Sequence, residues 1–472
     1  MNRLPDISTN FSDWYNEVVY KADLADQGPV RGSIIILPYG YALWENIQKQ
    51  LDLRIKKTGH KNVALPLLIP ESFITKEATH VEGFAPEMAV VTHAGGKKLD
   101  EALVIRPTSE TIVHYMFAKW IKSYRDLPLK INQWANIVRW EMRTRPFLRT
   151  TEIFWQEGHT AHETFEEAYS EVKLMMNEYV QFVQDWLAIP VIQGRKSDQE
   201  KFPGAEITLT FEALMQDGKA LQMGTSHLLS QSFAKSFDMK YQNAQGEVCY
   251  PYLTSWGVTT RLIGAMVMVH GDAKGIVMPP KVAPVQVIII PIYKSDEDEK
   301  IVMNAVRKII ENCNEKNIRI EVDTDKKSPG KKFYKWELRG VPIRIELGVR
   351  DLAEQKVIMV DRLSGKKESI SQDFIVNKIE EKLIWLQGEL FNRAKNILQE
   401  KTHKAKFLKQ FGPLIEKNGG MYQVGWCKNS ACEDQLKKYK AFTRCLLEEK
   451  TALHCFYCDK ESMVDVIVAK AY

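Results

Sequence analysis

Val138-Arg139-Trp140-Glu141, followed by Pro146-Phe147-Leu148-Arg149-Thr150, and then Ser255-Trp256-Gly257-Val258-Thr259-Thr260-Arg261, decide how this chain is read. Each stretch sets an arginine beside strand-forming or small residues, and the second runs into a helix-like segment. Arginine is a permanently charged planar fork that matches phosphate oxygens two at a time. Two such forks more than a hundred residues apart suit a folded-back triphosphate. The chain has no GxxxxGK[ST] and no GxGxxG after a strand, so the two commonest phosphate loops are absent. A nucleotide used by this chain would be held by arginines on a sheet.

The 472 residues suffice for two to four domains with cores, and 44% hydrophobic and 10% aromatic content fits a soluble globular enzyme. Met1–Asn10 shows no basic segment followed by an apolar run, and the longest apolar runs, such as 285–292, are too short to span a bilayer. The expectation is a cytoplasmic protein without membrane association. Net charge is +5, and residues 401–472 carry 13 Lys and Arg against 8 Asp and Glu, so the other 400 residues balance. A locally basic end suits a polyanion partner, although a solvated lysine-rich surface reads the same way. Seven cysteines are present. Cys427-x4-Cys432 and Cys455-x2-Cys458 have the spacing of a closed tetrahedral structural zinc site in a reducing compartment, with Cys445 and His454 outside the set.

Three regions follow from periodicity. Residues 1–280 are strand-rich with long helices. The spacing predicts strands over 32–38, 63–69 (interrupted by Pro66), 103–105, 131–142, 151–156, 206–213 and 219–223, and helices over 41–57, from 107, and over 163–187. Pro279, Pro280 and Pro284 read as a linker. Strands then alternate with helices over 284–385, an α/β pattern. The cysteines occupy 400–472.

The words that carry a family resemblance are Arg106-Pro107-Thr108-Ser109-Glu110, Arg139-Trp140-Glu141, Pro146–Thr150, Trp155-Gln156-Glu157-Gly158-His159, Gly224-Thr225-Ser226-His227, Ser255–Arg261 and Val269-His270-Gly271-Asp272. In this order they resemble class II aminoacyl-tRNA synthetases, specifically prolyl-tRNA synthetases of the archaeal/eukaryotic type. The resemblance implies an α+β catalytic domain on an antiparallel sheet (1–280), an α/β anticodon-binding domain (284–385) and a small zinc-binding α+β domain (400–472). It implies ATP-dependent joining of L-proline to tRNA(Pro) through prolyl-adenylate, with ATP and Mg²⁺ and a homodimer built on the helix from Tyr41 and the strand near Val63. Only about 100 residues separate Thr150 from Ser255, too few for the bacterial-type editing insertion.

By the same resemblance Arg139 and Arg261 are catalytic, neutralising charge on the α- and γ-phosphates. Thr108, Glu110, Arg139, Trp155, Glu157, His159, His227 and Ser255 would bind proline: anions for its ammonium, a cation for its carboxylate, an aromatic wall for its ring. Arg139, Glu141, Arg149, Thr150, Gln222, Thr225, Thr259 and Arg261 would hold ATP, with Gln222 a weak Mg²⁺ contact. Met223 stands where relatives often carry glycine. Glu346 and Arg350 would read anticodon bases, and the carboxylate after Tyr472 would return toward the active site. The rivals are a non-catalytic synthetase-like RNA-binding protein, which would lack the phosphate arginines, and a threonine or serine enzyme, which would need a hydroxyl-binding group. His159-x2-His162 is the nearest approach to a metal pair there.

Overall fold

The computed structural model describes residues 4–75 and 88–472, so Met1–Arg3 of the stretch read for a signal lie outside the described residues. Its frame is an eleven-stranded sheet. From edge to edge it runs Thr402–Lys404, Met421–Trp426, Val464–Lys470, Ala441–Leu446, Ile192–Arg195, Ile207–Leu214, Ala220–Ser230, Tyr252–Thr259, Glu152–His162, Leu129–Val138 and Lys61–Asn62. The two outermost pairs are parallel. The interior pairs are antiparallel.

Register places the site. Thr225 pairs with Gly257, Gly257 with Glu157 and Glu157 with Gln133; two residues along, His227, Ser255, His159 and Ile131 form the next row. Side chains alternate across a strand, so Trp155, Glu157 and His159 share one face. Gln156, Gly158, Thr160 and His162 take the other, under the helix Phe165–Leu187. That helix buries Val172, Met175, Met176, Tyr179, Phe182 and Val183, spacing that keeps one stripe on the sheet. Thr164 caps it in a reciprocal box with Glu167. The predicted helix from Tyr41 begins at Pro38, because proline suits a first turn, and ends at Lys57.

Several sequence expectations are corrected. The strand expected over 63–69 does not form: its place is taken by Lys61–Asn62 and Leu68–Pro70. Backbone groups between them are met elsewhere, with Arg106 Nη1 donating to the carbonyls of Leu65 and Pro66 and Gln133 Oε1 accepting from Leu65 N. The strand expected over 151–156 extends to His162, and the loop before it spans 139–151 rather than about eight residues. The proline linker is clamped: Val282 and Ala283 are fully buried, and their carbonyls accept from Asn46 and Arg319.

Beyond it lies a five-stranded sheet ordered Ile320–Val322, Val287–Ile292, Ile343–Gly348, Lys356–Asp361, Lys367–Ser371, the first three parallel and the rest antiparallel. The helices Asp296–Glu315, Pro329–Leu338 and Ile375–Glu400 accompany it. Arg362 grips Asp272 with both guanidinium nitrogens at 2.8 and 2.6 Å, tying this sheet to the first unit. The cysteine-bearing segment has its own core, yet its strands continue the large sheet, joined where Leu446 pairs with Arg195.

Candidate active site and metal centre

A cavity of about 310 Å³ opens on the sheet face that carries Trp155, Glu157 and His159. Its walls include Thr108, Glu110, Arg139, Thr150, Trp155, Glu157, His159, Gln222, Thr225, His227, Ser255, Thr259 and Arg261, so residues far apart in the chain meet in one space. Four elements bring them there: the turn before the helix Glu110–Trp120, the hairpin of Leu129–Val138 and Glu152–His162, the strand Ala220–Ser230, and the strand Tyr252–Thr259 running into the helix Arg261–His270.

One end is cationic. Arg261 donates to the carbonyls of Gln222 (3.2 Å) and Leu148 (3.3 Å), while its Nε is buried without a partner. Burial first, then the charges of Arg149 and Arg139, push Arg261 down to about 10. Arg261 and Arg139, both in the lining, are like charges brought close enough to repel, which makes a place for a polyanion. Arg139 Nε donates to the Pro107 carbonyl and its guanidinium lies 5.8 Å from the Trp155 ring centre. Thr259 Oγ1 accepts from Arg261 N at 3.0 Å, which starts the helix.

The other end is anionic. Glu110 and Glu157 are buried. Thr108 Oγ1 donates to Glu110, and Glu157 accepts from Ser109 Oγ, Gln133 Nε2 and, at 3.0 Å, His159 Nε2. Burial opposes charge on His159, but the Glu157 hydrogen bond and the charges of Glu157 and Glu110 outweigh it, so its pKa is raised. His227 is held at both ring nitrogens by Thr208 (3.0 Å) and Thr225 (2.9 Å). Trp155 Nε1, His159 Nδ1 and Ser255 Oγ are buried in these walls with no protein partner. Buried polar atoms are seldom left so unless a ligand or solvent meets them.

Two predicted ATP residues are elsewhere. Glu141 and Arg149 do not line the cavity but pair with each other at 3.0 Å, and Glu141 also accepts from Arg143 N. They sit on the 139–151 loop, where paired charges are more stable than two separate ones in partial solvent. Arg149 lines a second cavity of about 320 Å³ with Arg143, Arg145, Lys219, Arg261 and Tyr472. Tyr472 is fixed there by its hydroxyl on Asp217 (2.7 Å) and its N–H on the Ala220 carbonyl. Phe147, at φ +60°, turns the loop so that its ring is buried in the core and in the cavity wall. Met223 is the extra residue of a bulge, where pairing shifts from Phe211–Gly224 to Glu212–Gln222.

Sequence reasoning missed Ser109, Gln133, Lys196 and Phe202. Phe202 stacks on His227 at 4.5 Å, and Lys196 lines the cavity while paired with Glu212. Ser109 lies inside a quoted motif, directly before Glu110, while no motif marks Gln133, Lys196 or Phe202. His162 is no partner of His159. Three residues apart on a strand means opposite faces, and His162 bonds Thr160 beneath the helix. Of the two anticodon candidates Arg350 is exposed, whereas Glu346 is buried with its oxygens on Arg344 and Lys367.

In the C-terminal segment the sulfurs of Cys427, Cys432, Cys455 and Cys458 lie within 4.8 Å of one another, with Cys427 Sγ 3.8 Å from Cys432 and 3.7 Å from Cys458. Four sulfurs about 2.3 Å from a tetrahedral zinc stand about 3.8 Å apart, so the set fits zinc. A Lys460 backbone N–H lowers Cys458 to about 7. Cys445 is buried elsewhere, facing the Ile192 carbonyl, and His454 is exposed.

Arginines and buried carboxylates lining one cavity on a largely antiparallel sheet fit a class II synthetase core. Residues 92–270 match the family described as tRNA synthetase class II core domain (G, H, P, S and T), 286–382 match Anticodon binding domain, and 408–472 match Prolyl-tRNA synthetase, C-terminal. The chain is 48% identical over 470 residues to the proline--tRNA ligase of Alkaliphilus oremlandii, covering 99% of this chain and 97% of that one. It is 47% identical to that of Borreliella burgdorferi (98% of each) and to proline--tRNA ligase 2 of Bacillus cereus (98% and 97%). The chain belongs to the prolyl-tRNA synthetase family. Residues 151–254, all described, form sheet strands, the helix Phe165–Leu187 and short connections rather than an inserted domain. Among the described residues no helix is long and apolar enough to cross a membrane.

Proposed function

We infer that the chain joins L-proline to tRNA(Pro) in two steps, on ATP. The proline carboxylate attacks the α-phosphate in line, forming the mixed anhydride and expelling pyrophosphate. The terminal ribose hydroxyl of the tRNA then attacks the prolyl carbonyl and releases AMP. The observation that carries this reading is the polarity of one cavity: Arg139 and Arg261 at one end, Glu110 and Glu157 at the other. An imino acid bound between them offers its ammonium to the carboxylates and its carboxylate to Arg139, next to the phosphates.

Arg139 stabilises charge developing on the α-phosphate, and Arg261 receives the γ-phosphate end. Thr108 steers Glu110, while His159, Ser109 and Gln133 orient Glu157. Trp155, His227 and Ser255 bound the ring. No protein nucleophile is needed; positioning carries the rate. Gln222, Thr225, Thr150 and Thr259 line the nucleotide side, and Glu141 and Arg149 would exchange their mutual ion pair for adenine and phosphate. Mg²⁺ would supply charge neutralisation on the phosphates when bound, with Gln222, in the cavity lining, as its protein contact. Zinc at Cys427, Cys432, Cys455 and Cys458 would be structural.

We assign the catalytic unit to 1–280, the anticodon-binding unit to 284–385 and the zinc unit to 400–472. Exposed Arg350 would contact anticodon bases with Glu346 organising the strand end behind it. A cytoplasmic location suits four thiolate ligands. A homodimer is supported by the exposed apolar side chains Tyr41 and Leu53 on the helix Pro38–Lys57 and Ile35 just before it. The test is ATP–pyrophosphate exchange with proline, alanine, cysteine, threonine and serine. Exchange with proline far above the others is expected; exchange greatest with threonine or serine, or none from folded protein, overturns the reading.

A further inference from the structure

The C-terminal segment reaches the rim of the cavity through buried charge. Glu212, on Ile207–Leu214 beside the Met223 bulge, has no side-chain exposure. It accepts from Lys196 Nζ at 3.0 Å, from Arg444 Nε at 3.1 Å and Nη2 at 2.8 Å, and from Thr210 Oγ1 at 3.2 Å. Arg444 lies 232 residues further along the chain. A second contact lies alongside: Glu433 accepts from Ser197 Oγ at 2.6 Å and from Thr443 Oγ1.

Lys196 and Ser197 open the loop 196–206, whose Lys196, Glu200, Lys201, Phe202 and Pro203 wall the cavity. The loop meets the site at its amino-acid end. Phe202 stacks on His227, and its N–H donates to Thr208 Oγ1, the hydroxyl that also meets His227 Nδ1. A buried triad of two cations and one carboxylate adds little net stability once desolvation is counted. Its geometry is unique, however, because a guanidinium fork fixes the plane of the carboxylate it grips.

We propose that Arg444 and Glu433 are positioning residues for amino-acid binding: through Glu212 and Ser197 they hold the loop 196–206 against His227 from a segment that does not line the cavity. The proposal rests on the reading of the cavity as the proline and ATP site.

The test is pyrophosphate exchange by the full chain carrying Arg444→Met, Arg444→Lys or Glu433→Ala, which removes the acceptor of Ser197, with thermal melting alongside. Arg444→Met keeps Glu212 paired with Lys196, so no lone buried charge remains. The expected result is a proline KM raised about tenfold or more, an ATP KM within about threefold, and partial recovery in Arg444→Lys, which restores the charge but not the fork. A merely structural role would lower kcat with the active fraction and leave the proline KM in place. Proline KM within twofold of the parent in the folded variants overturns the proposal. If Arg444→Met does not fold, Glu433→Ala decides by the same criterion. A parent protein that exchanges with another amino acid, or none, fails the site reading instead, which separates the two.

Discussion

Arg261 is a cation held where burial and two neighbouring guanidinium groups disfavour it. A triphosphate reverses that balance, which is why the residue fits a nucleotide site better than a structural ion pair. Arg139 faces the same space, and removing a charge contact made mainly in the transition state costs about 10²–10³ in rate. Arg139→Ala should lower proline-dependent exchange by at least about 10² with an unchanged melting temperature; a loss under tenfold would remove the catalytic assignment. A second residue-scale prediction concerns acid. Burial holds His162 and His270 down at about 4, against 6.5 for a free ring. The unfolded chain takes up those protons at higher pH than the folded one, so stability from the neutral rings is complete above about pH 6.5 and lost as pH falls towards about 4. His162→Gln should flatten the fall in melting temperature over that window, and an unchanged slope would show that other groups set it. At this scale the sequence was informative where a motif held the residue and silent where only packing did. Arg139 and Glu110 were legible, while Gln133 and Lys196 were not, since a glutamine on a strand carries no local sign of a partner on the next strand.

The long helices were read to within a few residues because their stripes are mostly apolar, as in Phe165–Leu187, where Glu171 is the one buried charge; Phe11–Lys21 and Leu408–Asn418 were not read. The strand Glu152–His162 was read as ending at Gln156 for the opposite reason. Both of its faces are buried and both are polar, Glu157 and His159 towards the cavity, Gln156, Thr160 and His162 beneath the helix, so alternation vanishes from the composition. The strand expected across Pro66 failed because Arg106, a side chain, supplies the bonds a neighbouring strand would have given. One element-scale contact is open to direct test. A Cβ at Gly264, in the first turns of Arg261–His270, would collide with Leu148 Cδ2 and stand 2.8 Å from the Tyr15 hydroxyl. That hydroxyl donates to the Pro146 carbonyl, and the Leu148 carbonyl accepts from Arg261. Gly264→Ala should therefore displace the loop and raise the ATP KM several-fold with the proline KM little changed; an ATP KM within twofold of the parent would mean that Leu148 moves aside without the loop.

For the whole molecule, cysteine spacing announced a third unit but not its attachment. Pairing between Leu446 and Arg195 joins strands too distant in sequence to leave any local pattern, so one continuous sheet replaced what reads as a bead on a chain. Zinc bound at the four cysteines would then matter beyond its own neighbourhood. Cys455→Ser should lose the metal, measured as about one zinc per parent chain by elemental analysis, and lower both melting temperature and proline affinity, because Cys427–Cys458 and the Arg444–Glu212 grip belong to one segment. A parent chain purified under reducing conditions with no zinc would sink this expectation. The same continuity orders events during synthesis. Glu212 leaves the ribosome 232 residues before Arg444, and so do most of the walls of the cavity. A nascent chain halted between Arg261 and Arg444 holds the arginines and carboxylates of the cavity but lacks the guanidinium that grips Glu212. Full affinity for the amino acid then arrives late in translation, and an interrupted product competes only weakly for the cell's proline.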